Sequence, residues 1–182
     1  MVAQASASSD SGKTSGARAK AKVGGRNSRK ATRSAAKPED AIKFLKSDHK
    51  QVKEWFDEFD KTDDDRKKEK LAREICRALT IHAQIEEDIF YPAARDADVD
   101  EDLLDEADVE HASAKHLIAQ IEAMDTGAPL FDATVKVLGE YVKHHVAEEE
   151  NELFVECRES AMDLTALGRK LADRKAQLMA AA

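Results

Sequence analysis

Four amphipathic stripes in this chain each carry a histidine where an apolar residue belongs. Two of them also carry a glutamate one turn later. The stripes are Ile42, Leu45, His49, Val52, Phe56, Phe59; then Leu71, Ile75, Leu79, His82, Glu86 with Ile89 or Phe90; then Leu104, Ala107, His111, Ala114, Ile118, Ile121; and Leu138, Tyr141 or Val142, His145, Glu149, Leu153. At about 3.6 residues per turn, His82 with Glu86 and His145 with Glu149 share one helix face. A carboxylate taken out of water costs several kcal/mol unless it is compensated. A chain built this way can close its core only if the polar belt is neutralised, and a shared cation would do so.

The punctuation between the stripes predicts an all-α fold. Pro38 with Glu39 and Asp40 reads as a helix start, with acids at the positive end of the dipole. That helix extends to about Lys61. Thr62 followed by Asp65 resembles a capping box for a second helix, with Pro92 near its end. A third runs from about Asp100 to Thr126 and Gly127, and Pro129 opens a fourth. A shorter segment after Asp163, with Leu164, Leu167, Leu171 and Leu178, predicts a fifth helix packed outside the bundle or on a partner. Aromatic residues are only 5 % of the chain and prolines number three, which suits helices better than strands. The expected architecture is an antiparallel, up-down-up-down four-helix bundle. It divides into a tail at 1–37, the bundle at 38–160 and a C-terminal helix at 161–182.

The chain also repeats itself. The interval from His49 to His82 is 33 residues and from His111 to His145 it is 34, each second histidine being followed by Glu at +4. Ile85 to Tyr91 (IEEDIFY) echoes Glu148 to Phe154 (EEENELF). Each helical hairpin thus offers two histidines and one glutamate: His49, His82, Glu86 and His111, His145, Glu149. Six ligands exceed one tetrahedral zinc ion and suit two metals bridged by carboxylates. Mixed imidazole and carboxylate donors favour iron, with manganese or zinc as competitors. A single histidine on an apolar face is ordinarily a hydrogen-bonded core residue; four of them on four helices in a repeated pattern are not. His145 is chosen over the adjacent His144 because it aligns with Leu138 and Glu149, although His144 could pair with Glu148. Tyr141, one turn before His145, is a candidate hydrogen-bond donor near the metals or an ordinary core tyrosine. His116 is expected near the surface, and Cys76 and Cys157 as packing residues.

Charge separates the chain in two. Residues 1–37 hold nine basic residues and one acid, leaving twenty basic against thirty-six acidic residues in the remainder. The basic segment is almost wholly Ala, Ser, Gly, Lys and Arg, too poor in apolar surface to offset its ordering entropy, and is expected to be disordered. It suits phosphates on nucleic acid, or docking on the acidic body. Its Arg- and Ser-rich start also resembles an organelle transit peptide. No apolar run reaches the roughly 20 residues that span a bilayer, and no apolar leader is present, so no membrane partner is expected. Two cysteines make no disulfide framework, which predicts a reducing, cytoplasmic setting.

These motifs resemble the hemerythrin-like, or HHE cation-binding, family. The segments that carry the likeness are Ser47-Asp48-His49, His82 to Pro92, Val109-Glu110-His111 and His144 to Phe154. The likeness covers about residues 38–158. It implies an antiparallel four-helix bundle around a non-haem di-iron centre, with His49, His82, Glu86, His111, His145 and Glu149 as ligands. The chain departs from the oxygen carriers of that family. Those have a second histidine one turn after the third-helix ligand, where this chain has Lys115, and an acid at +5 rather than +4 on the fourth helix. The resemblance thus implies one iron with an open position, and points away from simple reversible oxygen storage.

Three functions follow as expectations. The first is a di-iron protein that binds or senses a small oxidant: dioxygen, peroxide or nitric oxide. The second is a peroxide-decomposing enzyme at the same centre. The third is an interaction protein with a structural or regulatory metal, tethered to nucleic acid by the basic segment. A ferritin-like site is set aside, because it pairs Glu with His at +3 whereas here His precedes Glu at +4.

Overall fold

Each of the first two helices is started by an aspartate. In α1 (Ala41–Phe59) the Asp40 carboxylate accepts from the Lys43 amide at 2.9 Å. In α2 (Asp65–Ile85) Asp64 accepts from the Lys67 amide at 2.9 Å, so Asp64 rather than Thr62 caps this helix. Thr62 Oγ1 instead accepts from the Asp64 amide in the preceding turn. An anionic cap gains from the helix dipole as well as from the hydrogen bond. The computed structural model describes residues 40–181, so the expected helix start at Pro38 and the expected disordered segment 1–37 lie outside the described residues.

After α2 the helix widens into a π segment, Glu86–Phe90, and continues as α3 (Tyr91–Arg95). The widened turn falls just before Pro92, which cannot donate to the helical ladder. α4 (Glu101–Glu122) begins at the Asp100 cap as expected but ends short of Thr126. α5 (Phe131–Glu148) begins two residues after Pro129, which sits in the connecting turn. A second π segment, Glu149–Leu153, leads into α6 (Phe154–Glu159). α7 (Leu164–Ala181) closes the described chain. Among the described residues there is no strand, and no helix is long and apolar enough to cross a membrane.

α1, α2, α4 and α5 pack in ring order, each against the next, which is the up-down-up-down bundle. Their buried side chains form two apolar clusters. One holds Ile42, Leu45, Ile85, Phe90, Tyr91, Leu104, Leu153 and Phe154; the other holds Val52, Phe59, Leu71, Ile75, Ile118, Phe131, Val135 and Leu138. Each side chain of this size stabilises the fold by about 1.5–3 kcal/mol on burial. The histidines and glutamates fall between the clusters, as a polar belt across the bundle. α7 lies against α1 and α2, with Leu167 and Leu171 buried in the first cluster, so the C-terminal helix packs on the outside of the bundle. α7 also meets the first π segment, where Arg174 holds Asp88 at 2.8 and 3.0 Å.

Candidate metal centre

The belt contains all six residues singled out from the sequence. His49, His82, His111, His145, Glu86 and Glu149 are buried, and they account for the buried polar and charged side chains among the described residues. The four imidazoles point their Nε2 atoms inward. His49 Nε2 lies 3.0 Å from His82 Nε2, and His111 Nε2 lies 3.2 Å from His145 Nε2. Glu86 Oε2 sits 3.2 Å from His82 Nε2 and 3.5 Å from His111 Nε2; Glu149 Oε2 sits 3.3 Å from His49 Nε2 and 3.8 Å from His145 Nε2. Each carboxylate therefore spans the two histidine pairs. The donor atoms group as His49, His82, Glu86, Glu149 and as Glu86, His111, His145.

This donor set fits divalent cations. Two ligand nitrogens about 2.1 Å from one ion stand about 3.0 Å apart at a right angle and about 3.4 Å apart at a tetrahedral angle. Both facing imidazole pairs fall in that range. Glu86 is fully buried, and neither of its oxygens has a hydrogen-bond partner; the same holds for Glu149 Oε2. Buried carboxylate oxygens without donors are costly unless a cation takes their lone pairs.

The outer edge of each imidazole also faces a carboxylate. His49 Nδ1 lies 3.0 Å from Glu150, His111 Nδ1 3.0 Å from Glu87, His145 Nδ1 2.8 Å from Glu110, and His82 Nδ1 3.5 Å from Asp48. Donation from Nδ1–H to Glu150, Glu87 and Glu110 leaves the Nε2 lone pairs of His49, His111 and His145 free to face inward, whereas His82 Nδ1 makes no hydrogen bond among the described residues and only faces Asp48. Three of the four acids have a lysine behind them: Lys46 on Glu150, Lys115 on Glu87, and Lys175 of α7 on Asp48. Asp48, Glu87, Glu110 and Glu150 fall within the sequence motifs, but without a role of their own. The signal was present: an acid immediately precedes His49 and His111, and an acid immediately follows Glu86 and Glu149.

Aromatic rings flank the belt at matching positions of the internal repeat. Phe154 stacks on His49 with ring centroids 5.9 Å apart, and Tyr91 stacks on His111 at 5.5 Å. Only the tyrosine adds a hydroxyl, which donates to Glu149 Oε1 at 3.3 Å and lies 3.4 Å from His111 Nε2. The hydroxyl near the centre is thus that of Tyr91. Tyr141 is neither a core residue nor a hydrogen-bond donor to the belt among the described residues; it is 47 % exposed. It borders a cavity of about 40 Å³ that abuts all four histidines and is otherwise walled mostly by aliphatic side chains, among them Val52, Leu79, Ile118 and Val142, with Asp48, Glu110 and Lys115 also on its lining. His144, the alternative to His145, lies outside the belt at 63 % side-chain exposure. Cys76 and Cys157 are buried packing residues, and burial pushes both thiols up to about 12.

Proton affinities follow the charges. Burial opposes a proton on His82, but Glu86, Asp48 and Glu149 overcome it and hold the imidazole up at about 10. Burial likewise opposes protonation of His145, and Glu110, Glu149 and Glu86 raise it nonetheless. His111 goes the other way, lowered by burial and by His145 and His82, against Glu86 and Glu149. Burial would raise Glu149, yet His49, His145 and His82 keep it down at about 2. Burial and the two central carboxylates lift the Tyr91 phenol well above its ordinary value, so it stays a donor.

Comparison with known proteins adds three findings. The hemerythrin HHE cation binding domain model matches residues 40–157. A stretch of 114 residues, 63 % of this chain, is 33 % identical to a DNA nickase of Nostoc sp., and it spans about a third (32 %) of that protein's length. A crystal structure of a hemerythrin HHE cation binding domain-containing protein from Mycobacterium kansasii superposes with a TM-score of 0.67, covering 79 % of this chain and 89 % of that one at 24 % identity, and so shares the fold.

Proposed function

Because the chain belongs to the hemerythrin HHE cation-binding family, we propose that its polar belt holds two iron ions and that the centre binds or senses a small oxidant: dioxygen, peroxide or nitric oxide. His49 and His82 would hold one ion, His111 and His145 the other, with Glu86 and Glu149 spanning both. Manganese and zinc compete for the same donors. Iron there would supply reversible electron transfer and an exchangeable coordination position.

The observation that carries the reading is the cavity beside the four histidines. Its size, about 40 Å³, admits a molecule of a few atoms. Most of its wall away from the histidines is aliphatic, which suits a small neutral molecule. The protein's own contribution is orientation. Glu150, Glu87 and Glu110 keep the Nε2 atoms of His49, His111 and His145 turned inward, and the Tyr91 hydroxyl, fixed by Glu149, stands as a neutral donor at one edge of the belt. Lys115 occupies the place where a further imidazole would complete an oxygen carrier's site, and its ammonium is engaged by Glu87. Sensing or turnover of an oxidant suits such a centre better than oxygen storage.

Metal analysis with an optical spectrum tests this. The expected result is about two irons per chain and a spectrum that changes on adding nitric oxide or peroxide. Iron-free protein that remains fully folded and takes up none from solution would overturn it. Oxygen evolution from peroxide above that of free iron would mark the peroxide-decomposing alternative.

A second reading is association with nucleic acid. The similarity to a DNA nickase and the nine basic residues in 1–37 favour it. In that case the metal centre would be structural or regulatory.

A further inference from the structure

Of the four acids that face the outer edges of the histidines, Glu110 differs. Glu150, Glu87 and Asp48 each have a lysine ammonium behind them, at 2.6, 2.6 and 2.5 Å. Glu110 has no lysine partner among the described residues. Its Oε2 takes the His145 Nδ1–H at 2.8 Å, and its Oε1 faces His144 Nε2 at 3.6 Å. His144 Nε2 in turn lies 3.2 Å from Glu148 Oε1. Where the other three positions have a cation from the chain, this one has three converging ligand atoms, Glu110, His144 and Glu148, all within 4.8 Å of one another. Behind them a second cavity of about 40 Å³ runs between α4 and the second π segment. Glu106, Glu110, Glu148 and Glu152 line it, and His145 and Glu149 border it. Glu149 is 2 % exposed, and its Oε2 has no hydrogen-bond partner.

We propose that Glu110, His144 and Glu148 form an outer site for a divalent transition-metal cation, and that this site loads the interior centre through the acid-lined cavity. One imidazole and two carboxylates suit manganese, iron or zinc, completed by water on the exposed side. A cation there stands for the missing lysine, and neutralises Glu110 while leaving its bond to His145 in place. The acidic walls raise the local cation concentration and lower the barrier to passage. Transfer inward exchanges the weaker, hydrated site for the buried donors of Glu149 and His145. The loading step rests on the interior reading above; the outer site does not.

The test is zinc uptake by the metal-stripped full chain, in the parent and in His144→Ala and Glu148→Gln, with His116→Ala as an exposed-histidine control. Calorimetric titration counts equivalents, and mixing with zinc under a colorimetric competitor gives the loading rate. The parent is expected to take one weak equivalent beyond the interior ones. His144→Ala and Glu148→Gln lose it, keep the interior equivalents, and load about tenfold more slowly; His116→Ala behaves as the parent. Equal stoichiometry in parent and His144→Ala overturns the outer site. Loss of the weak equivalent with unchanged rate overturns the loading role. Absence of tight equivalents in every variant overturns the interior reading, while the weak equivalent still reports on His144. Both substitutions replace partly exposed side chains, so a folding defect is not expected, and circular dichroism of each variant checks it.

Discussion

At the scale of single residues, the belt is a contest between protons and cations. In the metal-free chain His82 keeps its proton up to about 10, and Glu149 stays ionised down to about 2. The raised histidine contributes stability that is fully present below its unfolded value of about 6.5 and is lost as pH rises through about 10. The lowered glutamate contributes stability present above about 4.5 and lost as pH falls towards 2. The melting temperature of metal-stripped protein should therefore be highest between those limits, near pH 5 to 6. Metal affinity should show the opposite trend on the alkaline side. Binding must expel the His82 proton, so apparent zinc affinity rises about tenfold per pH unit for each proton released below pH 10. A pH-independent affinity would mean that His82 does not bind metal. The outer acids give a separate handle. Glu150→Gln and Glu87→Gln should each weaken interior binding by about 10- to 100-fold, measured against a chelator, with the fold intact. The sequence made the six inner donors legible because each interrupts an apolar stripe. It hid the outer four because acids are frequent on every exposed helix face here, and only adjacency to a donor distinguishes Asp48, Glu87, Glu110 and Glu150.

At the scale of elements, both π segments start at a central glutamate, Glu86 and Glu149. One extra residue in the turn rotates everything beyond it by about 100° relative to a regular helix. That rotation buries the adjacent pairs Phe90 with Tyr91 and Leu153 with Phe154, and it lays Tyr91 and Phe154 on the histidines. A strict helical period cannot express it. Its only trace in the sequence is that Ile89 and Phe90 fit the second stripe equally well; Phe90 is the buried one. Deleting Asn151, an exposed residue of the second π segment, should restore regular winding and turn Phe154 and Cys157 away from the core. A loss of about 3 kcal/mol or more in denaturant unfolding is expected, from the apolar side chains displaced. Unchanged stability would mean the bulge is incidental. The fifth helix was legible as a helix from its leucines, but not its seat. Leu171 is fully buried against the bundle, so Leu171→Ala should cost about 2–5 kcal/mol.

At the scale of the whole molecule, two apolar clusters supply the stability and the belt between them is left for chemistry. This division explains why a chain with 36 % charged residues still forms a largely aliphatic cavity beside the belt. Four stripes and their repeat were enough to read the bundle from sequence. They were not enough to read the cavity, which depends on side chains from four helices meeting, among them Val52, Leu79, Ala114 and Val142. The same division bears on the proposed nucleic-acid association. Residues 38–182 carry twenty basic and thirty-six acidic residues, so this part of the chain repels phosphates and attraction must come from 1–37. If all nine basic residues there engage phosphates, the logarithm of DNA affinity should fall against the logarithm of salt with a slope of about −8. Replacing Arg26, Arg29, Lys30 and Arg33 by alanine in the full chain should reduce that slope by about 3 to 4 and weaken binding to every sequence alike. Interior metal binding should be unaffected, because none of these four positions belongs to the belt. A slope that does not move with the substitutions would overturn the assignment of the contact to 1–37, and no binding at low salt would remove nucleic acid as a partner.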